Sequence, residues 1–223
     1  VVHFDTDEPN GRPQLCTAGC AETIYLSGAT DTLFTTKARS DGTVAAEPML
    51  ALDFTLDPSL EYGDFHLHQG VQFHNGRGEM TSEDVAFSFN DANSLTKPKS
   101  IHGQSGDFAP LIRSMEPLDK YTVRLNYRNY DSRGILHRFS SFWQTAGIVS
   151  KNAFDTEGAF AMKSNHSGVG AFVIDDWEDN KGITMHAFED YWGTPEGLGP
   201  YVEKFRILQV NEAASRRAML ETG

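Results

Sequence analysis

Apolar and polar residues alternate from Tyr121 to Tyr127, with Tyr121, Val123, Leu125 and Tyr127 facing one way and Thr122, Arg124 and Asn126 the other. That period of two predicts a strand with one buried face. The period changes at Thr81, a candidate N-cap with Asp84 three positions on. Val85, Phe89 and Ala92 then share one face of a helix expected to start at Ser82. Between residues 30 and 76, short β-prone pieces are punctuated by Asp41-Gly42, Pro58, Gly63, Gly70 and Asn75-Gly76, which predicts a small meander. Val1 to Phe4 reads as an opening strand before an irregular loop with Pro9, Gly11 and Pro13. Further on, Ile135, Phe139 and Phe142 stand at helical spacing, and residues 147–154 are expected to return as a short apolar strand. Two β-prone runs follow, joined by Asp179, Asn180, Lys181 and Gly182, which is hairpin chemistry. A strand, a cap at Asn211 and a short helix close the chain.

The meander ends in a stretch with three histidines, His66, His68 and His74. Phe65, Leu67, Val71 and Phe73 alternate with His66, His68 and Gln72, so His66 and His68 fall on the polar face, and His74 stands beside the turn at Asn75-Gly76. A His-x-His pair on one strand face is a workable half-site for a metal. It lacks a third ligand at a converging spacing, so the favoured reading is two solvent-facing histidines and one that caps a turn. A metal-binding protein or metal-dependent enzyme using His66, His68 and His74 is kept as the alternative.

Composition narrows the classes of function. With 223 residues, the chain can form one large domain or two small ones, each with a real core. Hydrophobic residues make up 39%, and no apolar run approaches the ~18 residues of a membrane helix. Lys and Arg number 19 against 31 Asp and Glu, and the formal charge of -12 makes nucleic acid and anionic lipid poor partners. The opening residues have neither an initiator Met nor a basic segment before an apolar one, so an export signal is expected to have been removed or omitted. Cys16 and Cys20 suit either a small disulfide loop in an oxidising compartment or two thiols facing a cavity.

Catalytic readings are weak. His102 and Ser105 lack the Gly-x-Ser-x-Gly spacing of a nucleophile elbow, and Glu83 with Asp84 suits the dipole of a helix start. Tyr191 and Trp192 close a strand and read as core.

Residues 60–93, LEYGDFHLHQGVQFHNGRGEMTSEDVAFSFNDAN, carry a resemblance. Gly70, Val71, Phe73, His74, Gly76, Thr81, Glu83, Asp84, Val85 and Ser88 match the signature segment of the family 5 extracytoplasmic solute-binding proteins, the peptide and nickel-chelate group of ABC importers. His68 stands where that family usually has Arg, and Asn75 where it has Asp. The segment upstream is similar to the family's Asp-Gly turn and Leu-Ala run, without its Trp near Leu52 to Phe54. The segment ending Tyr191-Trp192-Gly193 is similar to a further family strand, with departures at Val169 and Ala171, and residues 204–223 resemble a strand and helix that follow it. Four weak matches in the family's order, over about residues 30 to 223, reinforce one another.

The resemblance implies a mixed α/β (α+β) fold, part of a class II periplasmic-binding-protein-like architecture with a small inserted β-rich lobe, in an incomplete chain. Residues 1–45 and 155–223 would belong to a first lobe and 46–154 to the small one, with the second main lobe absent. It also implies a non-catalytic, monomeric, exported receptor without cofactor. Such a receptor holds a small molecule or peptide in an interlobe cleft, closes by a hinge and docks on an ABC permease. Ligand contacts would come from the loop with Cys16, Thr17, Ala18 and Gly19, from His102 in a glycine-flanked turn, and from Phe142, Trp143 and Gln144, an aromatic beside an amide. A stand-alone single-lobe sensing module is the further alternative.

Overall fold

The computed structural model describes residues 28–100, 105–141, 147–161, 167–178, 181–208, 210 and 212–222. Among them are nine strands in three antiparallel sheets.

β1 (Phe34–Ala38) and β2 (Val44–Pro48) form a hairpin. Its turn rests on Asp41-Gly42: Asp41 Oδ1 accepts the Thr43 backbone N–H at 2.9 Å, and Gly42 takes a φ of 83° that a side chain would resist.

The main sheet has the order β3-β4-β6-β5, from Ala51–Leu56, Tyr62–Leu67, Thr122–Tyr127 and Ile112–Asp119. The alternation read from the sequence is realised, since Val123, Leu125 and Tyr127 are buried on β6 and Phe65 and Leu67 on β4. Helix α1 (Ser82–Ala92) covers this face, with Val85, Phe89 and Ala92 inward as their spacing predicts. At its start, Asp84 accepts both the Thr81 backbone N–H and the Thr81 hydroxyl at 2.9 Å. Near its end, Asn90 grips edge strand β5: its amide donates to the Met115 carbonyl at 2.7 Å and accepts the Met115 N–H at 2.9 Å.

The return strand expected at 147–154 does not form. Residues 147–150 have no regular structure, and helix α4 (Lys151–Ala161) follows. The reason is local polar chemistry. Asp84 accepts the Lys151 N–H at 2.9 Å and Ser150 Oγ accepts the Ala153 N–H at 3.2 Å, so the first amides of a helix find acceptors there. Ile148 and Val149 are buried without belonging to a strand. The helical spacing at Ile135 and Phe139 is realised as one short helix, α3 (Gly134–Arg138), after the four-residue α2 (Ser105–Phe108).

The third sheet, β7 (Phe172–Glu178), β8 (Gly182–Ala187) and β9 (Lys204–Leu208), has a small core of Ile174, Ile183, Met185, Ile207 and Ala29. The predicted 170–193 hairpin is its β7-β8 pair, and α5 (Ala213–Thr222) follows β9. The expected opening strand and the Asn211 cap lie outside the described residues.

His74 ties this part to the main sheet. Its ring does not cap the turn beside it; it is fully buried, its backbone N–H donates to the Gly168 carbonyl at 2.9 Å, and its Nε2 lies 2.8 Å from the Gly170 carbonyl. Burial drives its pKa down to about 4, against the pull of the Gly170 bond, so the ring is neutral at pH 7. A carbonyl can only accept, so Nε2 carries the proton. Gly170 is also needed for the close approach of its backbone to residues 28–29, because a Cβ there would stand 2.1 Å from the Gly28 carbonyl oxygen. Gly170→Ala should therefore cost about 2–3 kcal/mol through backbone displacement. Urea unfolding checks this, and a loss below about 0.5 kcal/mol would show that the two backbones separate freely.

Candidate functional site

After β8 the chain runs through successive turns. Phe188 N–H donates to the Ala171 carbonyl at 2.8 Å, and Thr194 N–H to that of Tyr191 at 3.1 Å. This path carries two aromatic rings against residues 30–32. The Tyr191 hydroxyl donates to Asp31 Oδ2 at 3.0 Å, and the Trp192 indole N–H donates to the same oxygen at 2.8 Å. The Trp192 ring also packs 4.9 Å from that of His68, at the end of β4. One carboxyl thus joins the N-terminal side of β1, the turn after β8 and, through Trp192, the main sheet.

Beside this carboxyl is an open groove of about 460 Å³. Thr30, Asp31 and Thr32 supply its polar lining, Met49, Phe172 and Phe205 form apolar walls, and Leu198, Tyr201 and Val202 stand at an exposed rim. Thr30 is 3% exposed and its hydroxyl has no hydrogen-bond partner. Asp31 is 6% exposed, and loss of water pushes its pKa up to about 7, although the bonds from Trp192 and Tyr191 act the other way. The Tyr191 hydroxyl is pushed upward by burial and then by the charge on Asp31.

The groove is not the site expected from the sequence. Cys16, Thr17, Ala18, Gly19, His102, Phe142, Trp143 and Gln144 all lie outside the described residues. One described residue adjoining those segments, Ser141, lines the groove. The three histidines are not brought together as ligands: His66 Nδ1 pairs with Asp53 Oδ1 at 2.6 Å, His68 packs on Trp192, and His74 is bonded to backbone. Among the described residues, no group of three or more His, Cys, Asp or Glu side chains is placed to hold a metal. Sequence reasoning missed Asp31 and Thr30. The available signal was an acid inside GATDTLF, a run otherwise of small and apolar residues and threonine.

This fold defines a class before it defines a family. The chain superposes on an ABC transporter-associated periplasmic binding protein, DppA from Helicobacter pylori in complex with peptide STSA, with a TM-score of 0.79 and 25% identity over 99% of this chain and 44% of that one. Residues 45–223 match the family described as "Bacterial extracellular solute-binding proteins, family 5 Middle", and the chain belongs to that family.

Among curated relatives, heme-binding protein A of Haemophilus influenzae is 28% identical over 204 residues, which are 82% of this chain and 35% of that protein. Oligopeptide-binding protein AppA of Bacillus subtilis is 27% identical over 174 residues, 75% of this chain and 30% of that protein. The chain spans about a third of the length of these relatives. No described helix is long and apolar enough to cross a membrane.

Proposed function

We propose that the chain is part of the substrate-binding component of an ABC importer, which captures a small solute, an oligopeptide or similar compound, outside the cytoplasm and delivers it to a membrane permease. The observation that carries this reading is the family match over residues 45–223. In this reading residues 1–45 and 155–223 form part of the first lobe and residues 46–154 the small one. A second main lobe supplies the other side of the cleft, toward which Cys16, Thr17, Ala18, Gly19, His102, Phe142, Trp143 and Gln144 contribute. The receptor works as a monomer and performs no catalysis. Support for a further lobe comes from an exposed apolar side chain on the described surface: Leu220, on α5, is 68% exposed.

The protein purified from its own host without denaturation should release close to one equivalent of a small solute on unfolding, identified by mass spectrometry. A strain lacking the gene should lose uptake of that solute. Solute-free protein together with unchanged uptake of labelled peptides and heme would sink the reading.

A further inference from the structure

The groove beside Asp31 has an unbalanced electrostatic lining. The carboxyl is held by two neutral donors, Tyr191 and Trp192, both bonded to Oδ2, and no cation among the described residues contributes to its environment. A buried carboxylate without a counter-charge is costly. Next to it, the Thr30 hydroxyl is buried without a hydrogen-bond partner, which is costly for a polar group and leaves it open to a ligand. Both residues line one cavity, whose volume of about 460 Å³ is that of a small-molecule site. Its walls are aromatic at Phe172, Tyr191 and Phe205, with Tyr201 at the rim.

These features select a chemistry. Asp31 disfavours an anion. A hard metal ion would need more oxygen ligands than one carboxylate and one hydroxyl provide. A quaternary ammonium lacks the N–H groups that Asp31 and Thr30 could accept. A protonated amine supplies both the charge and the donors, and an apolar body beside it matches aromatic walls that attract organic cations.

We propose that this groove binds a primary ammonium group carried on an apolar body, with the nitrogen seated between the Asp31 carboxylate and the Thr30 hydroxyl and the body against Phe172 and Phe205. The site goes beyond the receptor reading. All its residues belong to this chain, so it binds amines whether or not a second lobe or a permease takes part.

The test is calorimetric titration of the chain with 2-phenylethylammonium, using 2-phenylethanol as the uncharged counterpart of matching shape. Saturable one-to-one binding of the amine is expected with a Kd below about 1 mM, and binding of the alcohol at least about tenfold weaker. Asp31→Asn should weaken amine binding at least about tenfold while leaving the alcohol unaffected, and Thr30→Val should weaken the amine several-fold. Circular dichroism establishes that both variants are folded. Equal affinity for amine and alcohol would reduce the site to an apolar cleft, and full amine affinity in Asp31→Asn would place the amine elsewhere on this acidic chain. No binding at about 10 mM amine would likewise overturn the proposal. Solute release and uptake are read separately, so the receptor assignment and this one can fail independently.

Discussion

Replacing Asp31 with Asn is expected to make the protein more stable at pH 8 and to flatten its pH dependence between about 4 and 7. The sign follows from the two states. The carboxyl titrates near 3.8 when unfolded and at about 7 when folded, so between these values the native state holds a proton that the unfolded chain releases. This contribution to stability is complete below the lower value, declines as pH rises, and is gone above the upper one. A shift of this size corresponds to at most about 4 kcal/mol. Asn is neutral throughout and its side-chain oxygen can accept the same bonds from Tyr191 and Trp192. Urea titrations of both proteins at pH 4.5, 6 and 8 measure the difference. Parallel profiles would show that Asp31 is ionised at an ordinary pH in the folded chain.

Phe65→Ala should be the most damaging single core truncation among the aromatic residues of the main sheet. Phe65 is 0% exposed at the centre of β4, with ring centroids 4.6 Å from Phe54, 5.1 Å from Phe139 and 6.2 Å from Phe34. Its loss empties a space bordered by β1, β3 and the segment after α3, three elements that cannot all move inward together. The expected cost is about 3–5 kcal/mol, a large share of the total stability of a domain. Phe87, which is half-buried beside Phe154 at the margin, serves as the control and should cost clearly less. Equal losses at the two positions would mean that the aromatic cluster is not the organising part of this core.

Much of the architecture was legible because it rests on short-range periodicity. The alternation from Tyr121 to Tyr127, the Thr81–Asp84 start of α1 and the 170–193 hairpin each encode their own geometry, and the signature through Gly70 and Val85 pointed to the family. Residues 147–154 were misread because their apolar content resembles a strand, while the groups that start the helix come partly from Asp84, 67 positions earlier. His74 was misjudged for a related reason: its partner Gly170 is 96 positions away, and no local pattern announces a bond of that span. Asp31 was missed because an isolated acid shows its burial only when Tyr191 and Trp192, 160 and 161 positions on, are folded against it. Residues with distant partners are where reading by period runs out.

The grip of Asn90 on Met115 has a consequence for self-association. A strand at the margin of a sheet is a template for a neighbouring molecule, because its outward amides and carbonyls seek partners. On β5 the middle of that template is already occupied by the two bonds to Asn90, and two residues further on Pro117 offers no amide at all. Intermolecular strand addition there would have to displace a bonded side chain and then cross a position that cannot donate, so growth of aggregates from this margin is blocked by the same helix that covers the core.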